Sequence, residues 1–131
     1  MKLMRIRKLD LAKVVARGVW RYNGVSLRPG RILATPQFAI LVKGRLAGWI
    51  GYERRRPGVY EIAHLSVLPR FRRSGLGKRA TVRMLAQVRR TGGQVVYARI
   101  RRSNYAPQCL LRKLGFRRVK GGRVCKFAKR I

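Results

Sequence analysis

The segment Val67-Leu68-Pro69-Arg70-Phe71-Arg72-Arg73-Ser74-Gly75-Leu76-Gly77 decides how this chain folds. An apolar, strand-like run ends here, a loop rich in arginine and glycine follows, and a helical pattern begins at once. The first amides of a helix have no acceptor within the helix, and the helix dipole is positive at that end. Because Gly75 and Gly77 carry no side chains, an anion can approach those amides. The segment therefore predicts a phosphate-binding turn, although a plain tight turn can show the same pattern.

Downstream of this segment, the spacing of apolar residues predicts a helix, a strand and a shorter helix. The first helix places its apolar residues on one face, and these residues are Leu76, Ala80, Met84, Leu85 and Val88. Gly92-Gly93 ends that helix. QVVYARI at 94–100 is apolar on both faces, as expected of a buried strand beside a crossover helix. Asn104 caps a second helix, which stops at Gly115.

Upstream, three runs with turns between them predict antiparallel strands at 37–43, 46–54 and 59–68. The N-terminal part predicts a strand at 2–8, a helix capped by Asp10, and a loop over 23–36. Residues 116–120 and 123–129 form a closing hairpin around Gly121-Gly122. The predicted fold class is α/β (α+β), with a mixed, mostly antiparallel, twisted sheet flanked by helices. One domain is expected to span residues 1–131.

Charge is the most unusual property of the sequence. It has 34 Lys and Arg against 3 Asp and Glu, and a net charge of +31. Since Asp10, Glu53 and Glu61 are the only acidic side chains, ion pairing neutralises few of the cations. Nucleic acid is the expected polyanionic partner, with an anionic membrane surface as the second possibility. No run of about 18 apolar residues predicts a membrane span. The expected location is cytoplasmic, or within a virion or ribonucleoprotein particle.

Cysteine and histidine are too few to predict a metal site. The chain has two cysteines, Cys109 and Cys125, and one histidine, His64, and no CxxC pair. Two reduced and mostly buried cysteines are expected instead.

The segment at 67–77 resembles the GNAT superfamily of N-acetyltransferases. Its pyrophosphate motif, (Arg/Gln)-x-x-Gly-x-(Gly/Ala), is matched by Arg72, Gly75 and Gly77, and the preceding Val-x-Pro by Val67 and Pro69. The family's Asn-to-Gly-Phe segment is matched by Asn104, Leu110, Leu114, Gly115 and Phe116. The resemblance covers roughly residues 37–128.

The resemblance implies acetyl-CoA as cosubstrate and coenzyme A as a partner. The loop at 72–77 would hold the pyrophosphate, the strand at 65–67 would pair with the pantetheine arm, and the amide near Val67 would polarise the thioester carbonyl. The residues expected to bind the cofactor are Leu65, Val67, Arg72, Arg73, Ser74, Gly75, Leu76, Gly77, Lys78 and Asn104.

Glu61 has the placement of the general-base glutamate in family members that resemble histone acetyltransferases. Strand alternation would put it on one face with Ala63, Leu65 and Val67. It would accept the proton of the attacking amine; the alternative is a carboxylate that only pairs with a neighbouring arginine. His64 would point to the opposite face and is interpreted first as a packed strand residue.

One departure from the family pattern concerns the general acid. Many members have a tyrosine seven residues after the asparagine, where this chain has Leu111. The first hypothesis is an acetyl-CoA-dependent N-acyltransferase that acts on an amine, in contact with nucleic acid. The alternative is a catalytically weakened GNAT fold that serves as a structural component of a virion or ribosome-associated assembly.

Overall fold

A computed structural model describes all residues, 1–131, as a seven-stranded sheet with helices on both faces. The strands are β1 (Lys2–Arg5), β2 (Gln37–Val42), β3 (Arg45–Arg56), β4 (Val59–Val67), β5 (Val95–Arg101), β6 (Arg117–Lys120) and β7 (Val124–Arg130). The helices are α1 (Leu9–Gly18), α2 (Pro29–Ala34), α3 (Leu76–Arg90) and α4 (Tyr105–Lys113).

The sheet order is β1-β2-β3-β4-β5-β7-β6. Only β4 and β5 pair in parallel, and the other five pairings are antiparallel. The parallel pair is joined by α3, because a parallel connection needs a crossover. The predicted mixed, mostly antiparallel sheet is confirmed.

Two apolar clusters lie on opposite faces of the sheet. The larger cluster lies under α3 and α4 and includes Leu76, Met84 and Phe127. The smaller one lies under α1 and α2 and is built around Trp49, which is buried. Its indole Nε1 donates to Asn23 Oδ1 at 3.2 Å.

Three local predictions in the N-terminal third were wrong. The first strand ends at Arg5, and Lys8, not Asp10, occupies the N-cap of α1. The predicted loop 23–36 contains α2, because Pro29 begins a helix where a missing amide proton costs nothing. A π-helical turn, Val19–Asn23, extends α1 and ends at Gly24, which has φ of 68°.

Cys125 is buried as expected, but Cys109 is exposed.

Candidate active site

A β-bulge in β4 shapes the centre of the molecule. Gly51 lies opposite Ala63 and Trp49 opposite Ser66, so β4 carries one residue more than β3 in this interval. His64 lies in the bulge with φ of 57°, the left-handed region that non-glycine residues seldom adopt.

The bulge reverses the faces of the residues that follow it. Glu61 lies opposite Glu53, whereas Val67 lies opposite Gly48, whose side of β3 faces α3. The expectation that Glu61 shares a face with Leu65 and Val67 is therefore wrong. Glu61 points to the face of the sheet on which α1 and α2 lie.

Beyond the bulge, β4 and β5 separate. Their pairing joins only Val59–Glu61 with Val95–Tyr97. A cleft of about 640 Å³ opens where the pairing stops. Of the predicted site residues, Glu61, Leu65 and Asn104 line it, whereas Val67 and residues 72–78 do not.

The cleft has an apolar wall and a basic wall. On the side of α3 and α4 it is lined by Thr81, Pro107, Leu110 and Leu111. On the other side it is lined by four arginines, Arg21, Arg55, Arg99 and Arg101. The acidic residues of the cleft are Glu53 and Glu61, so its lining is net positive.

Beside the cleft, the turn before α3 exposes a row of backbone amides. The first backbone bond of α3 runs from the Arg79 amide to the Gly75 carbonyl at 3.0 Å, and the amides of residues 73–78 donate to no carbonyl. Arg73 and Gly75 have φ of 60° and 76°, which curves the turn into a concave anion site. No side chain caps α3 at its N-terminus.

The glycine at 77 connects this turn to the cleft. A Cβ built on Gly77 would lie 3.4 Å from Leu110 Cδ2 and 3.8 Å from Val67 Cγ2. Both are ordinary contacts, so a methyl group fits there, whereas a longer side chain would extend from a Cβ that already touches Leu110 and Val67. The exposed amides, together with the exposed cations Arg73 and Lys78, fit a diphosphate.

Arg72 and Ser74 shape the turn with their side chains. Arg72 Nε donates to the Val67 carbonyl at 2.8 Å, and its guanidinium lies 5.7 Å from the centre of the Tyr22 ring. Ser74 Oγ donates to the Phe71 carbonyl. These bonds tie the turn to the end of β4.

Glu61 is enclosed by two arginines on the basic wall. Its carboxylate accepts hydrogen bonds from Arg55 Nε and Arg99 Nε, both at 2.8 Å, and the Tyr97 hydroxyl lies 3.5 Å away. The Glu61 side chain is only 6% exposed, while those of Arg55 and Arg99 are 39% and 58% exposed.

The family model described as "Acetyltransferase (GNAT) family" matches residues 17–116. This chain belongs to the GNAT acetyltransferase family. It therefore uses acetyl-CoA as cosubstrate and transfers the acetyl group to an amine. Comparison with curated protein sequences gave no significant match.

Solved structures share the GNAT fold at low sequence identity. Ard1 from Thermoplasma volcanium is 17% identical, with 99% of this chain and 97% of that chain covered and a TM-score of 0.86. The ribosomal-protein-S18-alanine N-acetyltransferase from Escherichia coli is also 17% identical, with 99% and 93% covered and a TM-score of 0.80. The PaiA N-acetyltransferase from Thermoplasma acidophilum, in complex with coenzyme A, is 14% identical, with 99% and 98% covered and a TM-score of 0.81.

The surroundings of Glu61 bear on its expected role in this GNAT site. Burial raises the pKa of its carboxyl, but hydrogen bonds from Arg99 and Arg55 outweigh burial and lower that pKa below its ordinary 4.5. A weaker base accepts a proton less readily. The contacts favour the interpretation of Glu61 as an ion-pair partner, and its role as a base stays a prediction.

His64 is the histidine of the cleft and can accept a proton. Burial is the largest influence on its imidazole and lowers the pKa from the usual 6.5, against smaller opposing effects of Glu53 and Glu61. The imidazole is therefore neutral at pH 7. The alternation that placed His64 away from Glu61 does not hold through the bulge, since both residues line the cleft.

Sequence reasoning missed several residues of the GNAT cleft. Asn23 Nδ2 donates to the Leu65 carbonyl at 3.1 Å and fixes the edge of β4. Arg99 holds Glu61, and the Arg101 guanidinium reaches Gly24, whose built Cβ would lie 3.3 Å from Nη2. These partners are distant in sequence, so no local motif marks them.

The predicted helix around Asn104 is confirmed. Asn104 is the N-cap of α4 and lines the cleft, although its side chain makes no cap bond. Leu111, at the family's tyrosine position, is 3% exposed, whereas Tyr105 is 72% exposed. No helix of the protein is both long and apolar enough to cross a membrane.

Proposed function

We propose that acetyl transfer takes place in the cleft between β4 and β5, with the coenzyme A diphosphate on the amides of residues 73–78. The observation that carries the proposal is that row of unpaired amides beside the unpaired edge of β4. Anions bind at such helix N-termini because several amides converge on them and the dipole has the favourable sign. Arg73, Gly75, Leu76, Gly77 and Lys78 form the turn, which Arg72 and Ser74 brace.

The edge of β4 would position the pantetheine arm and the thioester. The Leu68 amide donates to the Ala47 carbonyl of β3 at 2.7 Å. Because successive amides of a strand point to opposite edges, the amide of Val67 faces the edge that β5 leaves unpaired. There it can donate to the thioester carbonyl and stabilise the negative charge that develops on its oxygen. Leu65, on the other side of Ser66 from Val67, would contribute its backbone groups to the same unpaired edge.

The proton of the attacking amine would go to His64, directly or through water. A neutral imidazole has a lone pair for this step, whereas the Glu61 carboxylate is already shared by two guanidinium groups. In this scheme the amine nitrogen bonds to the acetyl carbon, and the C–S bond of the thioester breaks. The coenzyme A thiolate leaves, and Glu61 acts by holding Arg55 and Arg99 in place.

The basic wall selects the acceptor. Arg21 and Arg101 line the cleft and have no carboxylate partner among the ion pairs. They repel a polycationic acceptor and lower the pKa of a bound amine, which favours its nucleophilic form. The acceptor is thus an amine in an acidic or nucleic-acid context.

Coenzyme binding tests the diphosphate site. Acetyl-CoA at about 100 times its dissociation constant should add roughly 2.7 kcal/mol to the free energy of unfolding. The melts should be run above about 0.3 M salt, where non-specific phosphate binding is screened. Gly77→Glu should abolish the shift, because it places a negative charge beside the amides that would hold the diphosphate.

Gly77→Ala is the matched control, because its methyl group fits at 3.4 Å from Leu110. It should keep the shift. Absence of a shift in the parent protein, or the same loss in both variants, would contradict the site.

Acceptor choice is tested with two short peptides whose α-amine is their only amine. One begins Ala-Glu-Glu and the other Ala-Arg-Arg. Release of the coenzyme A thiol should be faster with the acidic peptide. A faster rate with the arginine peptide would refute selection by the basic wall.

A further inference from the structure

One face of the sheet is left without a helix over β5, β7 and β6. The cluster under α1 and α2 draws its sheet residues from β2 and β3, with Ala39 and Trp49 at its centre. On β5 the core-facing residues are Val96 and Ala98, which lie under α3 and α4. The alternate residues of β5, beginning with Tyr97, therefore face the uncovered side.

Six cations meet on this uncovered side. Register places Arg99 opposite Lys126, and Lys126 opposite Lys120. Arg117 lies opposite Ala128, which in turn lies opposite Tyr97. We call the set the basic sheet face; it consists of Arg99, Arg101, Arg117, Lys120, Lys126 and Arg130.

The basic sheet face contains almost no compensating charge. Only Arg99 has a carboxylate partner, Glu61, at the edge of the face. Lys126 lies 4.3 Å from the centre of the Tyr97 ring, and the other four cations are exposed. Like charges directly opposite one another on adjacent strands destabilise a sheet. A bound polyanion relieves that repulsion.

We infer that the basic sheet face binds the phosphate backbone of a nucleic acid. Four of its six cations are arginines, whose planar fork matches phosphate oxygens. The exposed large apolar residues of its three strands are Val119 and Val124, whereas binding to a membrane surface draws on a broad apolar face. Because Arg99 and Arg101 also line the cleft, nucleic acid on this face reaches the cleft mouth.

Binding of nucleic acid to the basic sheet face does not depend on acetyl transfer and is a further function of this protein. Charge alone would spread binding over the whole protein. The two basic clusters at 99–102 and 117–120, distant in sequence, are brought together by β7. Binding should therefore concentrate on one face.

The test compares two triple variants that remove equal charge. The face variant is Arg117→Gln, Lys120→Gln and Arg130→Gln. The control variant is Lys13→Gln, Arg17→Gln and Arg89→Gln, in which the replaced residues lie on α1 and α3 and are also exposed. Both variants have one Lys and two Arg replaced. The probe is a labelled 16-nucleotide single strand, titrated between about 50 and 200 mM KCl.

Each phosphate contact contributes about 0.7 to the slope of log affinity against log salt for a single strand. The face variant should therefore lower the magnitude of the slope by about 2, and the control variant by less than about 0.7. Equal reductions in both variants would overturn the inference. So would a face variant that binds the oligonucleotide normally but no longer binds vesicles containing phosphatidylserine. Melting curves and the acetyl-CoA shift of both variants show that the fold and the coenzyme site are intact.

Discussion

Removing the negative charge of Glu61 should destabilise the protein more than it slows the chemistry. Glu61→Gln leaves Arg55 and Arg99 facing a neutral amide, in which an NH2 group that cannot accept a hydrogen bond replaces one of the two carboxylate oxygens. Breaking a buried ion pair costs about 3–5 kcal/mol. Both arginines are more than a third exposed, so water solvates them and the cost is smaller.

We expect a loss of about 1–3 kcal/mol in the free energy of unfolding. In a domain of this size that lowers the melting temperature by roughly 4–12 °C. Asp10→Asn is the matched control, because Asp10 is exposed, forms no ion pair, and loses the same charge.

The pH dependence follows from the lowered pKa of Glu61. A carboxyl whose pKa is lower in the folded state stabilises the protein above its unfolded pKa, and this contribution is lost as pH falls through the folded pKa. Parent stability should therefore fall below about pH 4.5 more steeply than that of Glu61→Gln. Turnover of the folded variant should fall less than about tenfold. A loss of about 10²–10⁴-fold with unchanged stability would instead identify Glu61 as the general base and refute this reasoning.

Three further predictions concern the cleft, the charge and the core. His64→Asn should lower turnover by about 10²–10⁴-fold and remove the acidic limb of the pH–rate profile; asparagine is chosen because it tolerates positive φ, and an unchanged profile would exclude His64. Added KCl should raise the melting temperature, because salt screens the repulsion among 34 cations with 3 acidic side chains, and a fall between about 0.05 and 0.5 M would contradict that account. Gly18→Ala should cost about 1–3 kcal/mol, because its Cβ would lie 2.2 Å from Trp49 Cη2, and equal denaturation midpoints would show that the indole moves aside.

Local pattern was sufficient to predict the turn at which we propose that the coenzyme A diphosphate binds. Residues 67–77 contain the end of a strand, a turn and the start of a helix, and each is specified by neighbours in sequence. The spacing of apolar residues predicted α3, and Leu76, Ala80, Met84 and Val88 are buried as expected. Gly75 has a positive φ, a backbone conformation that glycine adopts more readily than other residues.

The same local reasoning failed in the N-terminal third. Glycine and proline made residues 23–36 resemble a loop, yet the packing of Ile32 beside Trp49 supports a short helix. Tertiary contacts supplied the stability that local propensity did not indicate.

Sequence alone thus determined the fold class, the turn that fits a diphosphate, and a charge that calls for a polyanion. Tertiary structure decided which side chains line the cleft in which we propose that the acceptor binds. The extra residue at His64 is defined only against the register of β3, and it reversed the faces inferred from alternation. Arg99 meets Glu61, and residues 99–101 meet 117–120, because β4, β5, β7 and β6 lie side by side. Such contacts depend on pairing between strands that are far apart in the chain. The alternation of side chains along one strand does not indicate which strand lies beside it.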